Sequence, residues 1–192
     1  MSVQPKVLID TGRSKLWVVE NYGPDLFSEL QKLPLYEEPP IRFGRQRRNV
    51  GFFSDESVGY TYSGQTMPSI PLSAAPILQQ LLPAVNQSLG TNFNGILVNR
   101  YINGEKYIGA HSDEEKALDK TKSMVASISY GATRKFRIRD KETKQIVLDY
   151  PHTARTLLVM EGAFQRSYTH EIPIEKRVKD ERISVTFRHH LE

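Results

Sequence analysis

Two residues of metal-binding types, His111 and Asp113, stand two positions apart in this chain. They follow a predicted β-strand, in which alternate side chains point the same way, so both could face one ion. A third candidate ligand, His170, follows later. Two imidazoles and one carboxylate can form a facial triad that holds iron(II) and leaves coordination positions open for a cosubstrate and dioxygen. Because a His-x-Asp pair alone often arises by chance, a hydrogen-bonded loop histidine is an equal alternative for His111.

The last predicted strand carries two arginines on one face. From Arg182 to Arg188 polar and apolar residues alternate, so the polar side chains all point the same way. If that face is solvated, the arginines simply meet water. If it lines the interior of a jelly roll, their guanidinium forks can bind a dicarboxylate. Asn99 and Tyr101 likewise share one face of an apolar strand, either as neutral hydrogen-bond donors or as an ordinary surface pair.

The elements that must position these residues are short strands in the second half of the chain, separated by turn signals. About eight are predicted: Gly95 to Ile102, Tyr107 to Ala110, Ser123 to Tyr130, Arg134 to Arg139, Gln145 to Tyr150, Thr156 to Met160, Tyr168 to Glu171, and Arg182 to Arg188. Such a series is typical of a sandwich or jelly roll, whose interior can hold a ligand.

The first half of the chain is richer in proline and arginine, and its sequence changes character near residue 93. Helices are predicted from Pro24 to Leu33 and from Ala75 to Leu89, with Ser73 as a candidate cap and Gly90 as the stop. We therefore expect a cap over residues 1–92 and a β-core over residues 93–190, within one compact domain.

Composition narrows the classes of function. The chain has 192 residues and no cysteine, so disulfides, thiol nucleophiles and thiolate metal sites are excluded. A net charge of +4, from 26 basic and 22 acidic residues, permits a nucleic-acid partner. No apolar run is long enough for a membrane span. We expect an intracellular protein, cytoplasmic or nuclear, that acts as a monomer without a membrane partner.

Taken in order, these motifs resemble the AlkB-type 2-oxoglutarate and iron(II) dependent dioxygenases, and most of all the members that repair alkylated nucleic acids. The resembling stretches are Asn99 to Gly104, Ile108 to Glu115, His170, Arg182 to Arg188 and, in the first half, Tyr60 to Gly64. The resemblance implies an α+β fold: a double-stranded β-helix, or jelly roll, with N-terminal helices and a nucleotide-recognition cap.

The resemblance also implies roles for individual residues. Iron would be held by His111, Asp113 and His170. The cosubstrate 2-oxoglutarate would be held by Asn99, Tyr101, Arg182, Thr186 and Arg188. Ser184 stands where members of the family commonly carry Asn, and its shorter hydroxyl would reach the cosubstrate less well. His152, His189 and His190 have no matching role and are expected at the surface.

The implied reaction is oxidative demethylation of N-alkylated bases of the 1-methyladenine and 3-methylcytosine type in DNA or RNA, with iron(II), 2-oxoglutarate and dioxygen. Hydroxylation of the alkyl carbon gives a hemiaminal that collapses to an aldehyde and the unmodified base. Two alternatives remain: the same cofactor chemistry on a protein or small molecule, since one fold hosts many substrates, and a nucleic-acid-binding protein with a degenerate metal site.

Candidate substrate contacts lie mainly in the first half. Phe43 stands within a basic run whose arginines could contact phosphates, Arg42, Arg45, Arg47 and Arg48, although such runs are often merely solvated. Tyr60 and Tyr62 share one face and could pack against an extruded base. The resemblance places Ser63 with them, and Glu114 at the base edge, where the alternative is a solvated loop carboxylate. Phe43 is expected to enter the gap that an extruded base leaves.

Overall fold

The computed structural model describes residues 4–57, 59–113 and 124–191, and two antiparallel β-sheets dominate them. The strands of the large sheet are β1 (Lys6–Asp10), β2 (Ser14–Val19), β5 (Asn49–Phe53), β8 (Gly95–Tyr101), β10 (Val125–Gly131), β13 (Leu157–Gly162) and β15 (Arg182–Arg188). Their spatial order is β1-β2-β13-β10-β15-β8-β5.

The small sheet contains β9 (Ile108–His111), β11 (Arg134–Asp140), β12 (Ile146–His152) and β14 (Tyr168–Ile172), in the order β12-β11-β14-β9. Two hairpins stand apart from both sheets, β3 (Pro40–Ile41) with β4 (Gly44–Arg45), and β6 (Gly59–Tyr62) with β7 (Gln65–Pro68). The helices are α1 (Phe27–Leu30), α2 (Pro76–Leu89), α3 (Phe164–Ser167) and a 3-10 turn, Leu72–Ala74. None of the described helices is long and apolar enough to cross a membrane. The predicted jelly-roll core with helices is confirmed.

The large sheet is buried on both faces. On one face Ile183, Val185 and Phe187 of β15 pack in a cluster that includes Leu78 and Val85 of α2. The other face meets the small sheet, where Leu158 and Met160 pack in a cluster with Phe136 and Ile138. Since side chains alternate along a strand, the polar residues of β15 must point between the sheets. The solvated alternative for this strand is therefore excluded, and Arg182 and Arg188 are each only 1% exposed.

Both predicted helices begin later than expected, and α1 is much shorter. It covers Phe27–Leu30 only, because a short isolated helix gains little from its own hydrogen bonds. The Ser73 cap was wrong: α2 starts at Pro76, whose fixed φ suits the first helical position. Gly90 ends the helix as predicted, with φ of 64° in the left-handed region.

Three strands of the large sheet come from before residue 93 and were not predicted. β2 pairs with β13, and β5 pairs with β8. The sheet therefore extends across the predicted boundary at residue 92, and the first half is more than helices and a cap. A sequence signal for β2 is present, since Leu16 to Val19 is an apolar run with an aromatic and two β-branched residues, but the strand is only six residues long.

Arg134, the first residue of β11 and of the strand predicted there, is 1% exposed and joins the loop after β8 to the loop after β14. Its guanidinium donates to the carbonyl oxygens of Asn103, Lys106 and Pro173 and to the Glu175 carboxylate. Gly104 lies against the second loop so closely that a Cβ there would be 1.9 Å from the Glu175 carbonyl oxygen. Arg134 thereby fixes the loop that follows Tyr101 at the end of β8.

Candidate metal centre and cosubstrate pocket

The small sheet places the two candidate histidine ligands side by side. His111 ends β9 and is the direct cross-strand partner of His170 in β14. Opposite residues in an antiparallel ladder project to the same face, and the two ring centroids are 4.4 Å apart. Asp113 completes the group: candidate ligand atoms of His111, Asp113 and His170 all lie within 4.8 Å of one another. This spacing allows all three to bind one ion.

Hydrogen bonding leaves the correct atom of His111 available for a metal. His111 Nδ1 lies 2.8 Å from the Gly109 carbonyl oxygen, which can only accept, so Nδ1 carries the proton and Nε2 keeps its lone pair. Burial lowers the pKa of His111, against the opposing charge of Asp113, and so favours the neutral imidazole that binds metals.

The carboxylate of Asp113 is buried and faces both imidazoles. Its Oδ1 lies 3.9 Å from His111 Nε2, and its Oδ2 lies 3.7 Å from His170 Nε2. Oδ2 has no hydrogen-bond partner among the described residues. The backbone N–H of Asp113 donates to Gln165 Oε1 at 2.9 Å, which fixes the loop. A buried carboxylate oxygen in this setting fits a bound cation.

Arg182 presents an unsatisfied buried charge at the other end of the pocket. Its Nε donates to Ser129 Oγ at 2.9 Å, and its Nη2 lies 3.2 Å from His152 Nδ1. Its Nη1 has no hydrogen-bond partner in the part of the chain that the structure describes. Burial lowers the pKa of Arg182 to about 10, so it remains a cation at neutral pH. A buried guanidinium with a free donor fits a carboxylate ligand.

The other predicted cosubstrate residues line the same cavity between the sheets. Across the β8–β15 ladder, Tyr101 is opposite Arg182 and Asn99 is opposite Ser184. Thr186 Oγ1 donates to Ser127 Oγ at 3.1 Å. The cavity brings together all eight residues predicted for iron and 2-oxoglutarate, and Ser184 lines it too. Arg188 lies at the metal end of the cavity, with Nη2 3.4 Å from Asp113 Oδ1.

The aromatic pair predicted for the substrate leads to the metal centre. Tyr60 and Tyr62 stack with ring centroids 6.4 Å apart, and Tyr62 meets the ring of His111 edge-on at 6.1 Å. Tyr60 is only 2% exposed, so it supports Tyr62 more than it offers a face of its own. Ser63 is exposed in the turn after β6, with φ of 47°. Glu114 lies outside the described residues.

Phe43 occupies the tip of the β3–β4 hairpin, between Ile41 and Gly44, and its side chain is 84% exposed. The guanidinium carbon of Arg42 lies 5.3 Å from the centre of its ring. Arg45 and Arg47 are exposed nearby in sequence. The tip therefore combines an apolar ring with positive charge at the surface.

Arg48 requires a correction, because its side chain does not belong to that surface. It is 1% exposed, and its Nε donates to Asn99 Oδ1 at 2.6 Å. Its guanidinium carbon lies 4.9 Å from the centre of the Tyr62 ring. The basic run passes from the surface into the core just before β5, so Arg48 contacts the pocket residue Asn99 and is not available for a surface phosphate contact.

Two histidines expected at the surface are buried instead. His152 is fully buried at the end of β12, where it contacts Arg182. His190 is 1% exposed, bonds to Ser57 Oγ through Nδ1 at 3.0 Å and stacks on Phe52. The side-chain partners of both histidines, Arg182 for His152 and Ser57 for His190, are distant in sequence, so no local pattern marks their burial.

Known proteins resemble the chain in sequence and in fold. It is 37% identical over 137 residues to the Bos taurus "Alpha-ketoglutarate-dependent dioxygenase alkB homolog 3", covering 67% of this chain and 47% of the relative. It is 31% identical over 178 residues to the Homo sapiens "DNA oxidative demethylase ALKBH2", covering 85% of this chain and 67% of the relative. A solved structure of OsALKBH1 shares the fold, with a TM-score of 0.61, 18% identity and coverage of 91% and 97%.

A family model, that of the 2OG-Fe(II) oxygenase superfamily, matches residues 25–188. The chain spans less than half the length of the alkB homolog 3 relative. The match includes the strands of both sheets that carry the pocket. Asp113 Oδ2, which has no hydrogen-bond partner among the described residues, fits iron(II), and Arg182 Nη1, which also has none there, fits a carboxylate of 2-oxoglutarate. The chain belongs to the 2OG-Fe(II) oxygenase superfamily, and its cofactors are iron(II) and 2-oxoglutarate.

Proposed function

We propose that this chain catalyses the oxidative demethylation of N-alkylated nucleobases in nucleic acid. The observation that carries the proposal is the contact between Tyr62 and His111, whose rings meet edge-on at 6.1 Å. A planar base that packs against the Tyr62 ring would lie beside an iron ligand, with its alkyl group near the metal. When bound, iron(II) activates dioxygen with electrons from 2-oxoglutarate and so supplies the oxidant for the alkyl carbon.

The protein residues position the reactants. His111, Asp113 and His170 would hold the metal. Arg182, with Asn99, Tyr101 and Thr186, would hold the cosubstrate in the cavity between the sheets. Arg188 faces Asp113 and adds positive charge where the keto acid approaches the metal. No protein nucleophile is required, which agrees with the absence of cysteine.

The exposed hairpin favours nucleic acid over a small metabolite. Phe43 is 84% exposed at the hairpin tip, and the exposed arginines beside it match the charge of a phosphate backbone. Extrusion of a base loses stacking energy, and a ring that enters the gap recovers part of it. The name of one relative, a DNA oxidative demethylase, agrees with a nucleic-acid substrate.

The test is mass spectrometry of oligonucleotides that carry 1-methyladenine, 3-methylcytosine or N6-methyladenine, after incubation with iron(II), 2-oxoglutarate and ascorbate. We expect loss of one methylene mass from the first two bases, with formation of succinate. Single-stranded and duplex DNA and RNA arms identify the preferred nucleic acid. The Asp113→Ala variant is the control and should leave every oligonucleotide unchanged.

Two outcomes would contradict the proposal. If 2-oxoglutarate is consumed while all methylated oligonucleotides remain intact, the substrate is a protein or a small molecule. If no 2-oxoglutarate is consumed with iron bound and oligonucleotide present, the chain is not a demethylase, and the alternative of a nucleic-acid-binding protein with a degenerate metal site is favoured.

A further inference from the structure

His152 occupies a position that the iron and cosubstrate assignments leave unexplained. It ends β12, the edge strand of the small sheet, yet its side chain is fully buried. Its ring meets the Phe136 ring edge-on at 5.9 Å, and Phe136 in turn stacks on His170 at 5.3 Å. An imidazole at this point is packed between the metal side of the pocket and Arg182.

The hydrogen bonds of His152 determine which ring nitrogen carries the proton. His152 Nε2 lies 2.9 Å from the carbonyl oxygen of Thr156, which can only accept, so Nε2 must be protonated. Nδ1 then keeps a lone pair and accepts from Arg182 Nη2 at 3.2 Å, since a guanidinium can only donate. Burial, together with the charge of Arg182, lowers the pKa of His152 to about 3, so the ring is neutral at neutral pH.

The contact with His152 restricts the orientation of Arg182. Ser129 Oγ accepts from Nε and His152 from Nη2, which fixes the guanidinium plane at two nitrogens. The remaining nitrogen, Nη1, has no hydrogen-bond partner among the described residues. Among the described ion pairs, none gives Arg182 a carboxylate, so the charge is held in place for a ligand.

We propose that His152 is a positioning residue that holds the Arg182 guanidinium in the orientation that binds a carboxylate of 2-oxoglutarate. This rests on the proposed role of Arg182 in cosubstrate binding. His152 does not touch the cosubstrate. Its neutral ring accepts the hydrogen bond from Arg182 Nη2 and, unlike an anionic carboxylate in the same place, leaves the positive charge of the guanidinium for the cosubstrate.

Three substitutions distinguish the effect of losing the hydrogen-bond acceptor of His152 from the effect of losing the volume of its ring. His152→Asn places an amide oxygen where Nδ1 stands and so keeps the acceptor for Arg182. His152→Leu has the same branching and no acceptor. Leu16→Ala is the control for a loosened core: Leu16 is fully buried in β2, and the change removes no polar partner of Arg182.

Isothermal titration calorimetry measures the Kd of 2-oxoglutarate for protein loaded with Mn(II) in place of iron, without dioxygen or nucleic acid. We expect His152→Leu to weaken cosubstrate binding by about tenfold, the effect of one lost hydrogen bond to a charged group. His152→Asn should remain within about threefold of the native protein, and Leu16→Ala should lower Tm with unchanged cosubstrate affinity. Mn(II) affinity should be the same in all four proteins.

A second measurement tests the proposal even if His152→Leu fails to fold, because it uses the native protein. Nitrogen-15 NMR of the native protein should show His152 protonated at Nε2 only, between pH 5 and pH 8. Unchanged 2-oxoglutarate affinity in folded His152→Leu, a parallel loss of Mn(II) affinity, or a proton on Nδ1 would each overturn the proposal. Because no nucleic acid is present, these results do not depend on whether a base is demethylated.

Discussion

Arg188 Nη2 lies 3.4 Å from Asp113 Oδ1. Strand β15 of the large sheet therefore contacts the metal ligand in the loop just after β9 of the small sheet. Both residues are buried, with relative exposures of 1% and 2%. The carboxylate therefore faces an arginine on one side and two imidazoles on the other. Its charge is balanced by Arg188 as well as by a metal, which links iron binding to the strand that holds the cosubstrate.

Asp113→Asn should reduce Mn(II) affinity by more than about 100-fold, because outer partners of metal ligands alone contribute about 10–100-fold. The amide lacks the charge that attracts the ion, and Arg188 loses its carboxylate partner. Equilibrium dialysis measures the affinity, with the exposed Asp10→Asn as the matched control. Unchanged affinity in Asp113→Asn would remove this residue from the metal centre.

Arg182→Lys should raise the apparent KM for 2-oxoglutarate at least about tenfold, with a smaller change in kcat. An ammonium on a flexible stem lacks the planar fork whose separate nitrogens reach Ser129, His152 and a carboxylate. Steady-state kinetics measures both constants, with Arg139→Lys, on the outside of the small sheet, as the control. An unchanged KM would refute the role of Arg182.

Ser184→Asn should lower the apparent KM for 2-oxoglutarate several-fold, since an amide reaches further into the cavity than a hydroxyl. Ser184 lines the cavity opposite Asn99 and next to Ser129 on the other neighbouring strand. Ser184→Ala, which removes only the hydroxyl, is the comparison and should change KM little. A higher KM in Ser184→Asn would show that the added volume displaces the cosubstrate.

Phe43→Ala should reduce activity on duplex substrates far more than on single strands, where no gap has to be filled. The ring is exposed at a hairpin tip, so its loss should leave Tm unchanged within the range of surface substitutions. Activity on matched duplex and single-stranded oligonucleotides gives the ratio. An equal loss on both would refute a gap-filling role.

Asp149→Asn should destabilise the protein by about 0.5 kcal/mol at pH 7, a value reduced for partial exposure of the ion pair. The Arg137 guanidinium donates to both carboxylate oxygens of Asp149 at 2.7 and 2.8 Å and lowers its pKa. Such a carboxyl adds stability above its ordinary pKa of about 3.9, which is lost as the pH falls through the lowered value. Urea unfolding at pH 7 and at about pH 2 should show the difference only at neutral pH, with exposed Glu142→Gln neutral at both.

Local patterns predicted most strands of the core and marked the candidate metal ligands, and the resemblance to a known family decided between a metal site and a loop histidine. The alternation from Arg182 to Arg188 defined β15 to the residue, and the spacing of His111 and Asp113 placed both near the end of β9. These features depend on strand geometry, which the sequence of one segment shows directly.

The remaining features depend on contacts between distant segments. β2 joins the sheet through β13, and no pattern within Ser14–Val19 specifies that partner. Arg48 and His152 are polar residues whose burial is compensated by Asn99 and Arg182, each from another strand. Because a buried polar group is stable only with its partner, its position follows from the assembled sheets and not from its own neighbours in the chain.

The contacts of Arg134 couple the opening of two loops, residues 103–106 after β8 and residues 173–178 after β14. The Gly104 N–H donates to the Val178 carbonyl and the Glu175 N–H donates to the Gly104 carbonyl, both at 2.8 Å, while Arg134 holds carbonyls from both loops. Neither loop can detach without breaking bonds of the other, so their amides form one cooperative unit in hydrogen exchange. Tyr101 stands at the base of this unit, and the cosubstrate end of the pocket therefore rests on a part of the protein that opens only in a larger unfolding event.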